Sequence, residues 1–126
     1  MKSLFLSALV ALAGSGVAHA QAPASGEIGY AHGSLGYDAL VAGDNERAIR
    51  QIVADARVDR NDPARLINLG QAYARTGRTA EAAQLFKAAA NSREDIDLIL
   101  ANGSVMGSKD AARQALARLQ SRIASR

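Results

Sequence analysis

Apolar residues between positions 63 and 91 recur at three- and four-residue spacing, in two runs separated by a glycine. The first run consists of Leu66, Leu69, Gly70 and Tyr73, and the second consists of Ala82, Leu85, Phe86 and Ala89. This spacing places the apolar side chains of each run along one face of a helix. The pattern therefore predicts two helices, over residues 64–75 and 80–90, packed face to face.

The residues around these runs are typical of helix ends. Asp62 can accept a hydrogen bond from a free backbone N–H, and Pro63 suits the first helical position, where no N–H is needed. Gly77 is expected to end the first helix, and Thr79 to cap the second. The chain between residues 63 and 91 is thus predicted to form a helical hairpin.

The order of large and small residues in this hairpin resembles a repeat motif. The order is Leu66, Leu69-Gly70, Tyr73, Ala82 and Phe86. It is similar to the tetratricopeptide-repeat pattern, in which Trp often stands at the position of Leu66 and Pro near that of Glu94. The alternative is an ordinary alanine-rich helical hairpin.

The spacing of the repeat is a second test of the resemblance. Moving back by about 34 residues aligns Leu35-Gly36, Gly43, Ala48 and Ile52 with residues of the same type in the hairpin. Moving forward, residues 107–116 align with residues 77–86 after a shift of about 30 residues. The chain is therefore expected to contain about three repeats, the last of them shortened.

Four further helices complete the predicted fold. They cover residues 34–41, residues 45–57, a segment from Ser92 to Asn102, and residues 108–124. Ser92 with Asp95 is expected to form a capping box, and Ser108 to cap the last helix. The predicted fold is all-α, a short α-solenoid of about three antiparallel helix hairpins over residues 34–126.

The first 20 residues have the pattern of a secretory signal. Lys2 gives a positive start, residues 4–13 are apolar, and Ala18-His19-Ala20 has the small-x-small form of a cleavage site. A membrane anchor is the alternative, but about 10 strongly apolar residues are too few to span a bilayer. We expect cleavage after Ala20, a flexible lead-in over residues 21–33, and an exported, periplasmic protein.

Composition narrows the classes of function. The chain has no cysteine, so neither disulfides nor thiolate metal sites are available. Its formal net charge is only +3, without the concentrated basic face of most nucleic-acid-binding proteins. We expect no nucleic-acid partner.

Candidate catalytic residues are few. His32 lies in a glycine-rich segment without a second ligand at metal spacing. Asp95 and Asp97 are two residues apart, on different sides of the predicted helix, and are not placed as an acid–base pair. No catalytic residue, metal site or cofactor is predicted, and the chain is not expected to be an enzyme.

The resemblance implies binding of another protein or a peptide. In tetratricopeptide-like proteins the first helix of each pair lines a concave groove that holds extended peptides or partner helices. The residues implied here are Tyr37, Leu40, Ile67, Asn68, Gln71, Ala74 and Arg75. Asn and Gln amides could bond a peptide backbone, and Arg75 could hold a carboxylate.

The C-terminal helix leaves two alternatives open. Arg118, Arg122 and Arg126 recur every four residues, which could attach the protein to anionic lipid, although the aromatic residues needed for insertion are missing. An incompletely covered last helix could also pair with its copy in a homo-oligomer. The favoured interpretation of the arginine row is the solvated face of a capping helix.

Overall fold

The computed structural model describes residues 28–126, which are mostly helical, with five helices packed against one another. The elements are α1 (Tyr37–Val41), α2 (Asn45–Ala54), α3 (Pro63–Arg75), α4 (Thr79–Ala90), β1 (Asp97–Ile99), β2 (Val105–Gly107) and α5 (Ser108–Ala124). The predicted signal over residues 1–20 lies outside the described residues, as does most of the predicted lead-in.

Helices α3 and α4 form the predicted central hairpin. Asp62 Oδ1 accepts a hydrogen bond from the backbone N–H of Arg65 at 3.0 Å, and Pro63 is the first residue of α3. Gly77, with φ 83°, reverses the chain after α3, as expected of a residue that is free to adopt the left-handed region. Thr79 is not the cap of α4 but its first residue, because Arg78 occupies the cap position without a side-chain hydrogen bond.

The two helices of this hairpin approach closely at Gly70. A Cβ atom at this position would lie 2.6 Å from Cε1 of Phe86, so only glycine fits without movement of the ring. The Phe86 side chain is 2% exposed and packs with Ala82 and with Leu119 from α5. One cluster of the core therefore lies where α3, α4 and α5 meet, and another lies between α1, α2 and α3.

Helices α1 and α2 form a smaller first pair, and both are shorter than predicted. Helix α1 begins at Tyr37 rather than Ser34, because Gly36 adopts the left-handed φ of 61° and residues 32–35 form turns. Helix α2 ends at Ala54, where Asp55 becomes extended. The side chain and the backbone N–H of Arg57 both bond to the Asp55 carboxylate, and these contacts hold the turn that follows α2.

The helix predicted between Ser92 and Asn102 is wrong, because this region forms a β-hairpin. Strands β1 and β2 pair antiparallel, with Leu98 opposite Met106. A short apolar run bounded by turn residues has no helical periodicity of its own, and Asn102-Gly103 here makes the turn between two strands. The third helix hairpin of the predicted solenoid is thus replaced by a β-hairpin followed by α5.

Asp95 caps α5 rather than a helix of its own. Its Oδ1 accepts from the backbone N–H of Lys109 at 3.1 Å, near the start of α5. Ser108 is the first residue of α5 and not its cap, and its hydroxyl accepts from the backbone N–H of Ile96 at 3.0 Å. The predicted capping box of Ser92 with Asp95 is therefore wrong, since Asp95 is used across the β-hairpin.

Candidate functional site

A groove runs along α3, between α1 on one side and β1 and α5 on the other. It consists of two adjoining cavities of about 700 Å³ and about 520 Å³, which share Gln71, Arg75 and Arg118. The larger cavity extends over α1 and β1, and the smaller lies between α3 and α5. We refer to these two cavities together as the groove.

All residues that the sequence assigned to a binding surface lie in this groove. Tyr37, Leu40, Ile67, Asn68, Gln71 and Arg75 line the larger cavity, and Ala74 lines the smaller one beside Gln71 and Arg75. Helices α1 and α3 bring them together because each is the first helix of its pair. Whether they bind a partner stays a prediction.

Two of these side chains also connect the first helix pair to the second. Asn68 Nδ2 donates to the backbone carbonyl of Leu35 at 3.0 Å, and Arg75 Nη1 donates to that of Leu40 at 3.0 Å. Within residues 28–126, Asn68 Oδ1 accepts no hydrogen bond, and the other N–H groups of Arg75 donate none. These residues are thus structural as well as available, which the sequence pattern did not indicate.

Arginines from α5 belong to the groove as well. Arg118 lines both cavities and Arg122 lines the smaller one, facing Arg75 across the space between α5 and α3. Within the described part of the chain, no carboxylate lies within ion-pair distance of these three guanidinium groups. The groove therefore carries a positive cluster where its two cavities meet.

The sequence analysis placed Arg118 and Arg122 on an outer, solvated face. The four-residue spacing correctly puts them on one side of α5, but it cannot say which neighbour that side meets. Arg126, the third member of the row, does not line the groove. The deciding information is the crossing of α5 over α3, which is a tertiary contact.

The sequence analysis also did not predict the wall of the groove opposite α1. Residues 97–102 line the larger cavity, and this strand and turn stand where a repeat helix was predicted. Leu98 packs onto the core beside Leu66 and Ile67, and Asp97 is the one acidic side chain among the described residues that line the groove. The charges of the groove are therefore asymmetric, with arginines where the two cavities meet and Asp97 on the β1 wall.

Tyr30 closes the larger cavity near the start of α3. Its hydroxyl donates to Asp62 Oδ2 at 3.0 Å and lies 3.2 Å from Oδ1. Burial, and then the hydrogen bond to the Asp62 carboxylate, raise the pKa of Tyr30 to about 12. The phenol is therefore neutral at physiological pH, and Asp62 is already engaged by Tyr30 and by the N terminus of α3.

Residues 28–126 contain neither a metal-ligand cluster nor a membrane-spanning helix. No group of three or more His, Cys, Asp or Glu side chains stands close enough to hold a metal ion in this range. His32 is 84% exposed and lies 3.5 Å from Asp38. No helix in the same range is both long and apolar enough to cross a membrane.

The chain was compared with protein-family models, with curated proteins and with solved structures. None of the three comparisons found a match.

Proposed function

We propose that this protein is a non-catalytic binding module that holds a segment of another protein in the groove. The observation that carries the proposal is the groove itself, a concave surface with an apolar region and a cluster of three arginines without acidic partners. Such a combination is typical of recognition sites, where apolar area supplies affinity and a few polar groups fix orientation.

The finer architecture is part of the same proposal. We infer a short tetratricopeptide-like solenoid in which α1–α2 and α3–α4 are two repeats and the β-hairpin with α5 is a modified third. Support comes from the order of helix pairs and from the close approach of α3 and α4 at Gly70. Export to the periplasm belongs to the proposal as well and rests on the pattern of residues 1–20.

The side chains of the groove indicate what the ligand contains. Ile28 and Val41, which are 64% and 52% exposed, offer apolar contact in the larger cavity, so apolar ligand residues are expected there. Leu40 and Ile67 lie beneath this surface, buried in the core. Where the two cavities meet, Arg75 and Arg118 can hold a carboxylate by paired N–H groups. The ligand is therefore a peptide segment with apolar side chains and an acidic group at the arginines.

The residues that line the groove favour a role in binding over a role in catalysis. Among the described residues that line it there is no histidine, and its one serine, Ser121, has no general base beside it. The lining side chains are suited to contact, hydrogen bonding and charge attraction.

The proposal is tested with two double variants of α5. A phage-displayed library of random decapeptides is selected against the full chain, and the most enriched peptide is titrated against each variant. Arg118→Ala/Arg122→Ala removes two groove charges, whereas Arg113→Ala/Arg126→Ala removes two charges outside the groove, one on α5 and one just after its end. We expect the first variant to weaken binding by about tenfold or more, and the second by less than about twofold.

Arg118→Ala/Arg122→Ala is not expected to change the free energy of unfolding enough to affect the comparison of binding. Arg118 and Arg122 are exposed, and among the described residues their guanidinium groups make one hydrogen bond, from Arg118 Nη2 to Gln114 Oε1 on the same helix. Equal weakening by both double variants, or the absence of any enriched peptide, contradicts the proposal. Mass that rises with concentration, measured by analytical ultracentrifugation, would then favour self-association through the basic helix.

A further inference from the structure

The hydrogen bonds at the two ends of the β-hairpin define its pairing pattern. The backbone N–H of Leu100 donates to the carbonyl of Ser104 at 2.8 Å, and the N–H of Ser108 donates to the carbonyl of Ile96 at 2.8 Å. In an antiparallel ladder, hydrogen-bonded pairs alternate with pairs that are not hydrogen-bonded. The pairs Leu100–Ser104 and Ile96–Ser108 are therefore both hydrogen-bonded pairs of the ladder.

This alternation determines which backbone groups of β1 face outward. Leu98 opposite Met106 belongs to the hydrogen-bonded set, two residues from each of the end pairs. Asp97 and Ile99 belong to the other set, so their N–H and C=O groups point away from β2. Among the described residues, no backbone or side-chain hydrogen bond to these outward groups is present.

Strand β1 borders the groove. Residues 97–102 line the larger cavity, whereas β2 does not. A strand edge with unpaired N–H and C=O groups is a template for another extended chain. Here the strand lines the same cavity as the apolar residues of the groove and as Arg75 and Arg118.

We propose that the ligand binds as an extended strand that pairs with the edge of β1, with its acidic group at Arg75 and Arg118. This inference rests on the proposed function and adds the conformation of the ligand. A helical ligand bonds its own backbone internally and would leave Asp97 and Ile99 without partners, whereas an extended peptide satisfies them.

Charge gives the ligand a direction in the groove. The Asp97 carboxylate stands on the β1 wall and disfavours an acidic ligand residue beside it, while the guanidinium groups of Arg75, Arg118 and Arg122 attract one. The peptide therefore has apolar residues along β1 and its acidic residue, or a terminal carboxylate, beyond the strand.

Amide exchange measured by NMR tests the strand pairing directly. The probe is the decapeptide most enriched by the library selection, added at saturation to the full chain. We expect the exchange of the Ile99 amide to slow by about tenfold or more, since a hydrogen-bonded amide exchanges only when the bond opens. The amide of Val105, which faces outward on β2, is the control and is expected to change by less than about twofold.

A matched pair of proline variants gives the second measurement. Ile99→Pro removes an outward N–H from the groove edge, and Val105→Pro removes its counterpart from the other edge without touching the ladder bonds. We expect Ile99→Pro to raise the Kd of the same peptide by about fivefold to tenfold, and Val105→Pro by less than about twofold. Circular dichroism shows whether each variant is folded, and the exchange experiment does not depend on either.

The outcomes separate this inference from the function on which it rests. If the peptide binds, loses affinity in Arg118→Ala/Arg122→Ala and leaves the Ile99 amide unprotected, the strand inference fails and groove binding stands. If no peptide is enriched, both fail. Protection of Ile99 without protection of Val105 supports the strand, and equal protection of both amides contradicts it.

Discussion

The helix pair α3–α4 and the β-hairpin that follows it are held together by different forces. The helix pair is closed by packing, with the Phe86 ring filling the space that Gly70 leaves open. The β-hairpin is closed by polar groups, with Asp95 and Ser108 bonding backbone N–H groups at its base. The first region should therefore be sensitive to lost volume, and the second to lost hydrogen bonds.

The largest effect is expected from Phe86→Ala. The side chain is 2% exposed, so its removal leaves a cavity that costs about 3–5 kcal/mol of the free energy of unfolding. This is a large share of the roughly 5–15 kcal/mol that stabilises a small domain. Urea unfolding followed by circular dichroism measures the loss.

The control for this substitution is Val53→Ala on α2. Val53 is 56% exposed, and its truncation should change the free energy of unfolding by less than about 0.5 kcal/mol. An unchanged unfolding midpoint for Phe86→Ala would mean that the ring does not fill the core between α3, α4 and α5.

A smaller effect is expected at the base of the β-hairpin. Asp95→Ala removes the side chain that accepts from the Lys109 N–H, and loss of a helix cap costs about 1–2 kcal/mol. Asp97→Ala is the matched control, since Asp97 is exposed and should cost less than about 0.5 kcal/mol. Urea unfolding of both variants is the measurement, and equal losses would contradict a capping role for Asp95.

The smallest effect is expected at Tyr30 and depends on pH. Because the pKa of this phenol rises from 10.0 to about 12 on folding, the folded state holds the proton more tightly. The resulting stabilisation is fully present below about pH 10 and is lost as the pH rises through about 12. Tyr30→Phe should cost about 0.5–1.5 kcal/mol at neutral pH through loss of the hydrogen bond to Asp62.

Two measurements check the behaviour of Tyr30. The decline in the free energy of unfolding between pH 10 and pH 12 should be smaller in Tyr30→Phe than in the unaltered chain. Ultraviolet titration of the folded protein should lose its ionisation near pH 12 in the variant. An unaltered titration curve near pH 12 would rule out Tyr30 as the group that ionises there.

The contrast between the two regions also explains what could be predicted from the sequence. Helices α3 and α4 each carry more than two turns of regular apolar spacing, so local pattern and packing agree, and their bounds were predicted within about one residue. The segment 97–107 has only a three-residue apolar run before its turn. Its conformation is decided by contacts with the core, through Leu98, which a local pattern does not contain.

Helix caps could likewise be predicted only where the two partners are close in the sequence. Asp62 was correctly placed because its partner, the N–H of Arg65, is three residues away in the chain. Asp95 was misplaced because its partner at Lys109 is brought near by the β-hairpin. The cap of α3 was therefore predictable, because both partners are neighbours in the sequence. The cap of α5 was not, because a β-hairpin separates its partners in the sequence.

The groove divides along the same line. Its α1 and α3 residues could be named because the resemblance to a repeat family implies which face of the first helix lines a groove. Arg118 and Arg122 could not, since their helix follows a β-hairpin that was predicted to be a helix. The arginines that α5 adds to the groove thus come from the part of the fold that departs from the predicted repeat.

Under the proposed function, the bonds from Asn68 to Leu35 just before α1, and from Arg75 to Leu40 within it, would link ligand occupancy to the stability of α1. Arg75 donates to the carbonyl of Leu40, so a ligand that took the whole guanidinium would release the end of a five-residue helix. Linkage is reciprocal: if binding of a ligand loosens α1, then ordering of α1 must weaken the binding of that ligand. A ligand that bonds only to the other N–H groups of Arg75 would leave the bond to Leu40 intact. Helices α1 and α2 would then keep their positions when the ligand binds.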